Sequence, residues 1–210
     1  MGTMNREIPS GLLRIGAISS IVSGVLLIAG FALHPAGEDA THGIDPLWVP
    51  AHGLLWLAFT LALLGWIAVY TAQATKAGRL GITAFVVIIL GTSLASWIFS
   101  SDVTFVPVIA AESPELFKKI FSGGHLAIGI ASVLTWVTGS ILFGISIVRA
   151  RVFPRWTGVL LAAGTLVVPI AYLAGFSVRV AGAGATLAGV AQIYLGYDLL
   201  RKLRDRGVTA

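Results

Sequence analysis

Four histidines and no cysteine set the chemistry open to this chain. His34, His52 and His125 stand at the ends of three different apolar stretches, and Asp102 stands at the end of a fourth. His42 lies between the first two stretches. Ionisable groups beside long apolar runs are costly to keep and nominate a site. Three imidazoles and a carboxylate, His34, His52, His125 and Asp102, form a donor set suited to a divalent metal such as zinc. Two imidazoles on facing helices also suit haem b, which needs axial ligands and an apolar slot. The neighbours fit such a slot. Gly30 and Gly129 each lie one helical turn from His34 and His125, where a glycine leaves room for a flat ring. Trp56 lies one turn from His52, and Trp97 and Phe99 precede Asp102. The expected cofactor-binding residues are therefore His34, His52, His125, Trp56 and Gly129. Histidine and tryptophan also gather at a bilayer interface for their amphipathic character alone, which is the competing structural reading.

Other chemistries find little support. Without cysteine there are no disulfides, thiolate metal sites, iron–sulfur clusters or thioether-linked haem. Neither an H-E-x-x-H, a G-x-S-x-G nor a P-loop pattern occurs. No lysine or acid falls at the middle of an apolar stretch. Ser96, Ser100 and Ser101 lie near Asp102, but serines in such helices usually bond back to their own backbone. Asp198 has Arg201 and Lys202 one turn on, which satisfies it.

The elements that must hold these residues follow from composition. Hydrophobic residues make up 57% of the 210-residue chain, charged residues 11%, and the mean hydropathy is +0.93. A soluble domain carries about 25% charged residues. A chain this poor in charge cannot cover a water-facing surface, and a disordered chain would be polar. The remaining class is an all-α polytopic membrane protein. A crossing needs roughly 20 apolar residues. Six stretches qualify, at 12–33, 51–72, 80–100, 121–148, 156–176 and 180–200. They lack the strict alternation of barrel strands. The first is longer than a signal-peptide core and reads as a retained helix. Short connections make 1–210 one transmembrane domain, a six-helix bundle.

The basic residues orient it. Arg6, Arg14, Lys76, Arg79, Arg149, Arg151, Arg155, Arg201, Lys202, Arg204 and Arg206 fall on one side, with Lys118, Lys119 and Arg179 on the other. This bias places both termini in the cytoplasm of a plasma (inner) membrane of prokaryotic type, and puts every histidine outside. The net charge of +5 is then a topology signal, and no nucleic-acid partner is expected. Acids lean outward, among them Glu38, Asp39 and Asp45. Asp45-Pro46 signals a turn or helix start. Ser113-Pro114-Glu115 reads as an N-cap, a first-turn proline and an acid on the positive end of the helix dipole. A short amphipathic interfacial helix is expected at 114–121, ended by Gly123-Gly124.

Small residues spaced by four mark contact seams: Gly16, Ser20 and Gly24; Ala131, Thr135 and Gly139; Ala181, Ala185 and Gly189. Three functions are compatible with this reading. One is an outer-face pocket binding haem b or a metal for electron transfer or redox chemistry. The second is a scaffold or accessory subunit that uses the seams for a partner subunit or self-association. The third is a small-molecule or lipid carrier.

Overall fold

The structure, a computed structural model, describes residues 10–37, 39–205 and 207. Arg6, Glu38 and Arg206, used above for orientation, lie outside the described residues. Among the described residues the regular structure is all helical: α1 (Ser10–Leu33), α2 (Ala40–Gly43), α3 (Trp48–Thr104), α4 (Val106–Glu112), α5 (Pro114–Phe121), α6 (Gly124–Ala150), α7 (Arg155–Leu173) and α8 (Val178–Asp205). Five of these, α1, α3, α6, α7 and α8, are long and apolar enough to cross a membrane. The surroundings that suit such helices are a lipid bilayer.

Helix α3 takes in both the second and the third expected stretches, two helical arms that meet at a kink between 72 and 80. At 57 residues a straight helix would run about 85 Å, far beyond a hydrocarbon core of about 30 Å. It is not straight. Gly78 has φ 59 and ψ −159, a conformation closed to residues with a side chain. There the chain folds back, and the two arms pair along their length. Trp66 Nε1 donates to Thr92 Oγ1 at 3.2 Å, Thr60 and Ser96 hydroxyls meet at 2.8 Å, and the Tyr70 and Phe85 rings stack at 4.4 Å.

Counting the two arms of α3 separately, six long rods form a closed antiparallel ring. Each packs on its neighbours in sequence, and α8 returns to α1. Five of the six junctions, all but that between the two arms of α3, contain a glycine where a methyl group would collide with the next rod. Gly16 meets Leu64 and Ala68; Gly91 and Gly139 seat the second arm of α3 against α6; Gly144 faces Gly158; Gly164 faces Gly184; Gly24 faces Gly189. Apolar side chains gain little by leaving lipid for one another, so close backbone approach is what holds such rods. Two of the expected seams, on α1 and α8, meet at Gly24 and Gly189, while Gly16 of the first seats α3. The third is only partly used, since Gly139 is buried while Ala131 is exposed. Inside the ring, the Ser20 and Ser23 hydroxyls donate to the Gln192 backbone and side-chain oxygens at 2.8 and 2.6 Å.

The antiparallel order carries Arg14, Lys76, Arg79, Arg149, Arg151, Arg155, Arg201, Lys202 and Arg204 to one end, hereafter the basic end. Asp198 is paired there with Arg201, at 2.9 Å, and with Lys202. The connections at the opposite end are more structured than expected. Asp39 caps α2, accepting from the Thr41 and His42 amides. Asp45 Oδ1 accepts from the Leu47 amide at 2.7 Å, and α3 begins one residue later. Helix α5 spans the predicted 114–121, with Ser113 Oγ accepting from the Leu116 amide at 3.3 Å. Helix α4, which local pattern does not announce, precedes it. Phe117 of α5 packs with Val106, Ala110 and Trp48 in a small second core. Gly124 starts α6 instead of ending α5, because Phe121 already closes the shorter helix. Helix α7 stops at Leu173, short of 176, because Gly175 takes φ 68 and the Phe176 amide bonds back to the Ala171 carbonyl at 2.9 Å.

Candidate functional site

The end of the ring opposite the basic residues encloses a cavity of about 410 Å³. His34 enters it from the residue after α1, His52 from the first turns of α3, Asp102 from the last turn of α3, and His125 from the start of α6. Four elements distant in sequence thus deliver their polar side chains to one void. Gly129, also expected at the site, lines it too, and a methyl group there would meet nothing within 4 Å. The rest of the wall is apolar and largely aromatic, with Phe31, Phe59, Phe99, Phe121, Trp136 and Tyr172. No lysine or arginine lines it.

Three expected neighbours fall elsewhere. Trp56 is 39% exposed and Trp97 51% exposed, and neither lines the cavity. They lie on the outward side of α3, whereas Trp48, one turn from His52 in the other direction, is fully buried. Gly30 gives no room for a ring either. A methyl group there would lie 2.7 Å from Leu55, so this glycine seats a leucine. His42 stands apart in α2, bonded through Nδ1 to Asp39 at 2.8 Å. These hydrogen bonds from Thr41 and His42 hold the Asp39 carboxyl well below the usual carboxylate range.

Within the cavity the polar groups are held from behind. His52 is 1% exposed. Its Nδ1 lies 2.9 Å from the Trp48 carbonyl oxygen. A carbonyl only accepts, so Nδ1 carries the hydrogen, and in the neutral ring Nε2 is left as an acceptor. Trp48 stacks on the same ring with centroids 4.0 Å apart, and its Nε1 donates to the Asp102 backbone carbonyl at 3.0 Å. One buried indole therefore fixes two site residues from opposite ends of α3. The signal was available, since Trp48 and His52 are four apart and share a helix face. His34 bonds the Pro35 carbonyl through Nδ1 at 2.9 Å, and its ring lies 4.7 Å from that of His52. Burial pushes the His34 imidazole below its ordinary value, partly offset by that carbonyl and by Asp102.

On the other side of the site, His125 Nε2 lies 3.5 Å from Asp102 Oδ1, at the limit of hydrogen-bonding distance. The Phe121 ring sits 4.3 Å from the His125 ring and stacks on Phe117 at 4.2 Å, which ties the site to α5. Asp102 is 6% exposed, and its Oδ1 has no hydrogen-bond partner. Buried polar atoms are nearly always paired, and the long contact to His125 is all that this oxygen receives, so most of its accepting capacity is unspent.

The cavity also has a side opening. Leu126, Ile130, Val133 and Leu134 of α6, with Tyr172 and Leu173 of α7, line it and are also exposed on the outside of the ring. Helices α6 and α7 touch at Gly144 and Gly158 toward the basic end, and both line the cavity at the other. The mouth is apolar and lies on the face that a bilayer would cover.

The expected metal site is not assembled as a cluster. Among the described residues no three His, Asp or Glu side chains are grouped closely enough to hold an ion. His34 and His52 lie ring against ring with centroids 4.7 Å apart, so they cannot stand on opposite faces of a haem, and such a pair would need His125 opposite one of them. Comparison with protein-family models, curated proteins and solved structures finds no match.

Proposed function

We propose that this chain is a multi-pass membrane protein that binds a small, mainly apolar molecule at its histidine-bearing end. The observation that carries the reading is the cavity: aromatic walls, a few convergent polar groups and an apolar side mouth. Binding sites for small molecules combine these features. The two arms of α3 bring the number of crossings to six. The basic end then faces the cytoplasm, as cationic ends do, and the cavity opens in the outer half of a prokaryotic-type plasma membrane. The mouth between α6 and α7 admits a ligand from the bilayer, which suits a carrier or sensor of lipid-soluble molecules. A scaffold role has less to support it, because the glycine seams are spent on contacts within the ring.

The test is retention of a small molecule by the purified protein. In mild detergent or lipid nanodiscs, native mass spectrometry is expected to show one bound small molecule per chain. Gly129→Phe, which fills the cavity from α6, should lose it. Wild type without a bound or bindable molecule, and a filled variant of unchanged behaviour, would overturn the reading.

Haem b is a second reading, favoured by one observation. His52 donates Nδ1–H to a backbone carbonyl, the arrangement that orients a ligating imidazole through Nε2. His52 and His125 would hold the iron, and the group would supply one-electron chemistry at the outer face. An absorption spectrum decides it: a Soret band that His52→Ala removes supports haem, and its absence after haem supplementation rejects it.

A further inference from the structure

We infer that the ligand of this cavity carries an amine: the unpartnered carboxylate oxygen of Asp102 and the acceptor-facing His52 select a donor headgroup on an apolar body. This rests on the cavity's being a binding site, and it goes further by assigning the chemical class that fits.

Asp102 is more than nine-tenths buried, and its Oδ1 lacks a partner while lining the void. His52 gives its Nδ1 hydrogen to Trp48, so it too offers an acceptor. Ser132, the one hydroxyl among the wall residues apart from Tyr172, lies farther along α6. A molecule whose own polar end is an acceptor, such as a carboxylate or phosphate, meets the acceptor atoms of Asp102 and His52. A donor meets what it needs. No lysine or arginine lines the cavity to neutralise Asp102, and His125 approaches it only to 3.5 Å. A cationic ammonium supplies the missing hydrogen bond and favours the ionised carboxylate opposite it, and charge-assisted bonds are the stronger ones. The walls suit a cation as well. Phe31, Phe99 and Phe121 flank the polar groups, and aromatic faces attract ammonium groups. Entry from the bilayer restricts the body to lipid-soluble amines.

Three probes with one compact cage and different heads separate the possibilities: 1-adamantanamine, 1-adamantanol and adamantane-1-carboxylate. Binding to the full chain in phosphatidylcholine nanodiscs is measured by calorimetry against empty discs. The amine is expected to bind about tenfold or more tighter than the alcohol, with no binding of the carboxylate. Asp102→Asn should bring the amine to the level of the alcohol, and Gly129→Phe should abolish both. An amine no tighter than the alcohol, an amine preference that survives Asp102→Asn, or binding of the carboxylate would overturn the inference. If Asp102→Asn does not fold, the ranking on wild type decides alone. Alcohol binding without amine preference removes the headgroup assignment and leaves the cavity standing as a binding site. No binding by any probe, with Gly129→Phe indistinguishable from wild type in every assay, removes both.

Discussion

At the scale of single residues, the site depends on groups that touch no ligand-facing space of their own. Trp48 is fully buried, holds the Asp102 carbonyl and backs the His52 ring. Trp48→Phe keeps the stacking and removes the indole N–H, leaving a buried carbonyl unpaired. A loss of about 1–3 kcal/mol is expected, read as a lower unfolding midpoint in a mild-to-denaturing detergent titration. His34 gives a pH signature. Its folded value lies below the ordinary 6.5, so the neutral ring is favoured in the folded protein. Its contribution is full above that ordinary value and is lost as pH falls below it. Melting temperature should therefore drop as pH falls below about 6.5, and His34→Gln should flatten that part of the profile. A profile unchanged by the substitution would show that another group titrates. The Asp39 cap works in the opposite range: its depressed carboxyl favours the fold above the ordinary 3.8 and is lost as pH falls further.

At the scale of elements, glycine position decides between packing and space. Gly164 and Gly129 are both helical glycines, yet a methyl group on Gly164 would lie 2.6 Å from the Gly184 carbonyl oxygen, while one on Gly129 meets nothing within 4 Å. Gly164→Leu should force α7 from α8 and cost about 1–3 kcal/mol or more. Gly129→Ala should be neutral or gain about 0.5–1 kcal/mol from helix propensity. Paired unfolding curves check the contrast, and equal effects would refute the close-approach account. Gly78 is a third case. Nothing crowds it, but φ 59 with ψ −159 strains any residue with a side chain, so Gly78→Val acts through backbone strain alone, at about 1–3 kcal/mol. Circular dichroism should show helix retained while thermal stability falls.

At the scale of the whole molecule, the ring separates its charges. Nine described cations collect at one end, whereas Lys118, Lys119 and Arg179 stand at the other with the cavity. The absence of cysteine makes the orientation directly measurable. Single cysteines replacing Thr41 and Lys118 should react with a membrane-impermeant maleimide on intact cells. One replacing Lys76, at the α3 bend, should react only after permeabilisation. The reverse pattern would put the cavity on the cytoplasmic face. The same experiment tests the bend as a crossing point, since Lys76 and Lys118 must differ if α3 crosses twice.

Composition and the long apolar runs determined the all-helical class, the rods and the segregation of basic loops, because each is a property of local sequence. The cap at Ser113, the turn at Asp45 and the helix from Pro114 were legible for the same reason: a cap is made by side chains within one turn of the amide they bond. His34, His52, Asp102, His125 and Gly129 could be nominated by type and by position along their stretches. Their convergence on one void could not, since it depends on which rods are neighbours, and small-residue spacing does not name a partner. Rotation about each rod was equally hidden. Trp56 and Gly30 sit one turn from site histidines, yet one faces outward and the other seats Leu55, while Trp48 faces in. Only packing on both flanks of a helix sets which of its faces looks into the bundle, and so only the tertiary structure decided which residues share the cavity and which oxygen there is left without a partner.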